Sequence, residues 1–200
     1  MIAPEVELAP PPDIDERVIL RGVSWADYER FLAMRGESSA IRVTYLRGML
    51  ELMSPSKRHE TDKKKLARLV EAYADLLGLV IEGFGSWTVR REEEERGAEA
   101  DECYVVGAAP EAPDAPDLVV EVVYSSGGLP KLELWRRLGA REVWFWLGQR
   151  LRVYVRRGDE WATAERSELL PAFELALIER CMGEASQAAA VRALRAALAI

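Results

Sequence analysis

Residues 117–124 read Asp-Leu-Val-Val-Glu-Val-Val-Tyr, and this run constrains the rest of the chain. Branched apolar residues on both faces suit a strand covered from two sides, as a central strand is in an α/β sheet. Glu121 sits in the middle of the run. A carboxylate there is costly to desolvate unless a cation or a strong donor meets it. The fold must therefore bury this strand and also bring a counter-charge to its centre.

The flanking patterns supply the other elements. Ser24 and Asp27 start a helix that Gly36 ends. Residues 41–53, IRVTYLRGMLELM, alternate around Arg47-Gly48 as a hairpin. From Ser56 to Leu77 the period is helical: Leu66, Leu69, Val70, Tyr73 and Leu77 form one stripe, His59 continues it, and Lys64 and Arg68 face away. Strands are expected over 79–82, 86–91, 99–106 and 117–124. A helix follows from Pro130 to Leu138, then a hairpin over 142–147 and 150–155, and a last helix from about Glu184 to Ala199. There is no internal repeat. The order predicts an α/β fold with a mixed β-sheet flanked by helices. Residues 1–20, rich in proline and acid, read as an N-terminal arm, leaving a single domain over 21–200.

Composition narrows the chemistry. A single histidine, His59, and two distant cysteines, Cys103 and Cys181, disfavour a zinc site or a disulfide framework. The cysteine usage suits a cytoplasmic protein. No apolar run approaches the length of a membrane span. There is no phosphate-binding GxxxxGK[ST], no GxGxxG after a strand and no GxSxG elbow. Acidic and basic residues number 34 and 27, a net charge of -7, which weighs against nucleic acid as a partner. Four of those seven charges, however, come from the first 20 residues, with five acids and one base.

Carboxylates and lysine remain. In a regular strand Glu99, Asp101 and Cys103 share a face. Asp117 and Glu121 share another with Val119. Lys131 follows Glu121 by ten residues, past the loop SSGGLP, and can return to the carboxyl end of the strand, where open α/β sheets place ligands. Two acids and a lysine suit phosphodiester hydrolysis: hard oxygens hold Mg²⁺ or Mn²⁺, and a compact cation steers water or neutralises the phosphate.

The segments VSWADYERFL, TYLRGMLELMSPSKRHE, GFGSWTVRREEEERGAEADECYVV, PDLVVEVVYSSGGLPKLELWRRLGAREVWFW and SELLP, in that order, resemble the Uma-two family of restriction endonuclease-like proteins within the PD-(D/E)XK nuclease superfamily. The resemblance implies a restriction-endonuclease-like fold and metal-dependent cleavage of DNA. It makes Asp101 the aspartate of the PD half-motif, with Ala100 in place of proline, and Glu121 the acid of the (D/E)XK half-motif. It makes the Val122 carbonyl a further metal contact. Val123 stands where the superfamily lysine is usual, so the lysine is assigned to Lys131 on the next helix. Glu60, beside His59, resembles the acid of the superfamily's first helix, and both join the catalytic candidates.

Blander roles compete. Glu51 reads as a hairpin acid, and Asp117 as the end of a turn after Pro116. The basic run SKRHETDKKKLAR reads as a solvated helix face or a phosphate-backbone contact. Trp144, Phe145 and Trp146 read as core, and Cys103 as a packed thiol. Two rival functions stand beside DNA cleavage: a catalytically silent nucleic-acid-binding or assembly module of the same fold, and a phosphodiesterase acting on RNA or nucleotides. The aromatic content and short hairpins are compatible with a homodimer.

Overall fold

A computed structural model describes residues 13–198 except 39, 109, 110, 112, 125–127 and 171. Most of the expected N-terminal arm, the SSG of the SSGGLP loop, Pro171 of SELLP and Ala199 of the expected last helix lie outside the described residues.

In chain order the elements are β1 (Glu16–Arg21), α1 (Trp25–Arg35), β2 (Arg42–Leu46), β3 (Met49–Ser54), α2 (Lys57–Leu77), β4 (Ile81–Gly83), β5 (Thr88–Arg91) and β6 (Arg96–Glu99). There follow β7 (Glu102–Val106), β8 (Leu118–Val123), α3 (Lys131–Leu138), β9 (Glu142–Leu147), β10 (Arg150–Arg157), β11 (Glu160–Ala164), α4 (Leu175–Met182) and α5 (Gln187–Leu198).

Local signals account for many boundaries. The Ser24 and Ser56 side chains accept from the backbone N–H of Asp27 and His59, capping α1 and α2. Arg47-Gly48 and Gly148-Gln149 have positive φ at both positions, as two-residue hairpin turns of this twist require.

The strands form two sheets. The first, in the order β1-β3-β2-β6-β5, is antiparallel throughout. The second, β11-β10-β9-β8-β7-β4, is mixed: β8 and β9 run parallel, joined through α3, and the other pairs are antiparallel. Glu16–Arg21, placed in the arm by composition, is instead an edge strand of the first sheet. Its alternation is short and heavily charged, so the pattern read as solvated chain.

Residues 99–106 are not one strand. Glu99 ends β6 in the first sheet and Glu102 begins β7 in the second. The Glu99 carboxylate is held in the first sheet by Val43 N–H at 2.9 Å and Arg35 at 2.6 Å. Asp101, two residues on, is bonded to β8. The chain thus changes sheets at Ala100–Asp101, and residues 96–105 are buried without alternation because each flank serves a different sheet.

One face of the second sheet packs on α2, α4 and α5, with Leu118, Val120 and Val122 of β8 in that core. The opposite face carries Val119 and packs with α3, Leu134, Trp135 and Leu138 included, towards Leu46 and Ala98 of the first sheet. Glu121 alternates onto this second face, between the two sheets. Among the described residues no helix is long and apolar enough to cross a membrane.

Gly97 shows how tightly the first sheet meets α1. A Cβ there would overlap the ring and hydroxyl of Tyr28, which is fully buried and stacked on Tyr45 at 5.0 Å. Overpacking of this kind costs about 1–3 kcal/mol. Gly97→Ala should lower the urea unfolding midpoint accordingly, and an unchanged midpoint would mean that Tyr28 is free to move.

Candidate active site

Glu121 is 3 % exposed. Its Oε1 accepts the Trp135 indole N–H at 2.7 Å and lies 3.3 Å from the Lys131 ammonium. Both partners come from α3, so the helix that connects the parallel strands also brings the counter-charge. Oε2 makes no hydrogen bond among the described residues. Burial pushes the Glu121 carboxyl above the ordinary carboxylate range, Lys131 opposes this, and the Asp101 charge adds to the rise. Burial pulls the Lys131 ammonium down, but Glu121, Asp101 and Glu51 together raise it above its ordinary value.

Asp101 lies across from Glu121, one step beyond the last β7–β8 pair, Glu102 opposite Val120. Its Oδ2 accepts the Val122 backbone N–H at 2.8 Å and lies 3.0 Å from His59 Nε2. Its Oδ1 is 3.8 Å from Arg42 Nε. Burial pushes this carboxyl up, but the His59 contact, with Arg42 and Lys131, overrides it and holds the group at about 2.

His59 is fully buried, with a carboxylate at each ring nitrogen: Asp101 at Nε2 and Asp15 at Nδ1, both at 3.0 Å. Burial lowers its pKa, but the two carboxylates outweigh burial and hold it at about 9, so at neutral pH it is an imidazolium whose Nδ1 donates to Asp15 and whose Nε2 is ion-paired with Asp101. Fully buried between two carboxylates, it has the geometry of a positioning residue rather than of a group that meets substrate. Asp15 also accepts the Ser56 N–H at 2.9 Å, tying the N-terminal segment to the start of α2.

The sign of the His59 effect gives a pH dependence. A histidine raised from 6.5 to about 9 contributes stability that is whole below pH 6.5 and lost as the pH climbs through 9. The amount is on the order of 3 kcal/mol, or roughly 6–12 °C in Tm for a chain of this size. Between pH 6 and 9.5 in EDTA the wild-type Tm should fall by about that much, with the fall absent from His59→Gln. A flat wild-type profile would refute the imidazolium assignment.

A cavity of about 410 Å³ opens at Glu121, with Lys131, Arg17 and Glu51 on its polar side and Val122 and Phe145 in its wall. Glu51, read from sequence as a hairpin acid, is 2 % exposed, 3.5 Å from Arg17, and accepts the Leu129 N–H at 2.7 Å. It carries the same signal as Glu121, an acid inside an apolar strand, at a position where a hairpin acid is the simpler account. Arg17 and Asp15 were hidden by their place in the supposed arm.

Glu60 goes elsewhere. It pairs with Arg42 at 3.2 Å and Lys63 at 2.5 Å, and lines a separate groove with Lys57, Lys64 and Glu102. It reaches Asp101 only through Arg42, because its position on α2 turns it away from the cavity. The basic run divides: Lys57, Arg58, Lys64 and Arg68 are exposed, whereas buried Lys65 donates to the Met182 and Glu184 carbonyls at the end of α4. Asp117 accepts from Val106 N–H and pairs with Arg141 at 3.1 Å, away from the site.

Among the described residues no three His, Cys, Asp or Glu side chains stand together as a metal cluster. What is present is a Glu121 oxygen with no hydrogen bond among the described residues, the Val122 backbone on the same cavity lining, and Asp101 on the neighbouring strand, outside that lining. That set fits Mg²⁺ or Mn²⁺, since Mg²⁺ takes one or two carboxylates and fills its shell with water and substrate phosphate. It does not fit zinc.

A family model described as "Uma2: Putative restriction endonuclease" matches residues 25–185. The crystal structure of a "putative nuclease belonging to DUF820" from Anabaena variabilis ATCC 29413 superposes with a TM-score of 0.55 at 13 % identity, over 84 % of this chain and 98 % of that one. That likeness shows the fold. No curated protein sequence matches the chain.

Proposed function

The chain belongs to the Uma2 family of restriction endonuclease-like proteins, and from that premise we propose that it is a metal-dependent nuclease hydrolysing DNA phosphodiester bonds at the Glu121–Lys131 cavity. The observation that carries this reading is Glu121, a buried carboxylate lining a cavity, with one oxygen fixed by Trp135 and Lys131 and the other without a hydrogen bond among the described residues.

Glu121, Asp101 and the Val122 carbonyl would hold Mg²⁺ or Mn²⁺. Such an ion, when bound, polarises a phosphate and lowers the pKa of water. The protein's own groups do the rest. The Lys131 ammonium meets the charge that builds on the phosphate oxygens or orients the attacking water. The Trp135 N–H fixes the rotamer of Glu121. His59 and Asp15 keep Asp101 ionised and aimed. Arg17 balances Glu51, so the cavity does not repel a phosphate.

The reading places the protein in the cytoplasm, which its two free buried cysteines support. It also favours a homodimer, in which two sites meet two strands. A second reading, a binding module without turnover, draws on the use of Asp101 Oδ2 by Val122 and His59. One assay separates them. Purified protein is incubated with supercoiled plasmid, duplex, single-stranded DNA and RNA, with Mg²⁺, Mn²⁺ or EDTA. DNA should be cut only with metal. Cleavage of none of them with either ion would leave the binding module, and cleavage of RNA alone would reassign the substrate.

A further inference from the structure

We propose that Phe145, Tyr154 and Arg152 form a nucleotide subsite beside Glu121, taking one unstacked base against the aromatic rings and a flanking phosphate on Arg152. This rests on the nuclease reading and names the form of its substrate: a strand with an unpaired or turned-out base.

The register builds the subsite. Glu121 stands opposite Phe145 on β9, and Phe145 stands opposite Arg152 on β10. The three residues form one row across three strands. Two strand spacings are about 10 Å, so Arg152 serves a different phosphate from the one at Glu121. Leu151, Val153 and Val155 point into the core under α2 and α4. Arg152 and Tyr154 therefore face the other way, on the side of Glu121.

Phe145 and Tyr154 are half-buried, meet edge to face at 5.6 Å, and share the cavity wall with Met53, Leu129 and Leu132. The volume of about 410 Å³ is that of a small-ligand site. It accommodates one base with its sugar but not a duplex, whose bases hide their faces in the stack. Aromatic rings hold exposed bases of any sequence by stacking.

Arg152 is exposed and makes no ion pair or hydrogen bond among the described residues. Its neighbours on β10 are engaged: Arg150 with Glu179, Arg156 with the Arg136 carbonyl, Arg157 with Glu168. Nearby, Glu121 and Glu51 are answered by Lys131 and Arg17. Arg152 therefore leaves the row net positive, and its guanidinium suits a phosphate.

Binding of a labelled single-stranded oligodeoxynucleotide and of the same-length duplex to the full chain, by fluorescence anisotropy in EDTA over a KCl series, tests this without turnover. The single strand should bind more tightly. Phe145→Leu should weaken it about tenfold. Arg152→Gln, a surface change that leaves the fold intact, should weaken it and lower the salt slope by about 0.7, the value for one phosphate contact on a single strand. No binding of the single strand, equal binding of the duplex, or an Arg152→Gln affinity and slope like wild type would overturn the subsite. If wild type cuts DNA but these variants bind normally, only the subsite fails. If wild type binds as described but never cuts, only the nuclease reading fails.

Discussion

Glu121→Gln lowers the single-turnover rate of metal-dependent cleavage by about a thousandfold or more and leaves the protein folded. The activity loss follows from charge. Glutamine keeps the size of the side chain and an acceptor for the Trp135 N–H at 2.7 Å, but it offers a divalent cation no negative oxygen. Metal assistance is worth several kcal/mol of barrier, and each 1.36 kcal/mol is tenfold in rate. The stability change is small because two effects oppose. Lys131 loses its partner at 3.3 Å, but its side chain is 17 % exposed and can turn into the cavity water. In return, a carboxyl that burial holds above its ordinary range is no longer present. A folded Glu121→Gln protein that cuts at the wild-type rate would remove this residue from the chemistry.

His59→Leu has the largest effect on stability. Leucine fills much of the same space but leaves Asp15 and Asp101, 1 % and 2 % exposed, as two buried carboxylates facing an apolar side chain. Taking one partner from a buried ionic group costs about 3–5 kcal/mol. The Asp101 carboxyl then also loses the main influence that keeps it ionised. Urea unfolding of His59→Leu, Asp15→Ala and the double variant checks the bridge as a unit. The double variant should be more stable than the sum of the single losses implies, by on the order of 1 kcal/mol. Additive losses, or a His59→Leu cost below about 1 kcal/mol, would show that the three groups do not act together.

Much of the architecture is legible in local pattern, because the local pattern is its cause. Ser56 and Gly78 bound α2 through a hydroxyl cap and a left-handed residue. Arg47-Gly48 closes a hairpin through positive φ. Glu121 is visible as a charge in a strand that has no solvent face, and Lys131 as the next cation at the start of a helix. What is illegible depends on partners distant in sequence. Asp15 looks like one more acid in a proline-rich lead until it is placed against Ser56 and His59. The turn at Asp101 shows only once Glu99 and Asp101 are seen bonded to different sheets. Phe145 reads as core because its neighbours Trp144 and Trp146 are core, and only the register with Glu121 and Arg152 turns it towards the cavity. The net charge of -7 is misleading for the same reason. Around the cavity the acids are matched by Lys131 and Arg17, so the total says little about the field that a phosphate would meet.

If Asp101 and Glu121 together hold a catalytic divalent cation, calorimetric titration of the metal-free full chain with Mn²⁺ should show one ion bound per chain, with binding lost in Glu121→Gln and in Asp101→Asn while both variants remain folded. No binding to wild type, or wild-type affinity in both variants, would rule out that shared site.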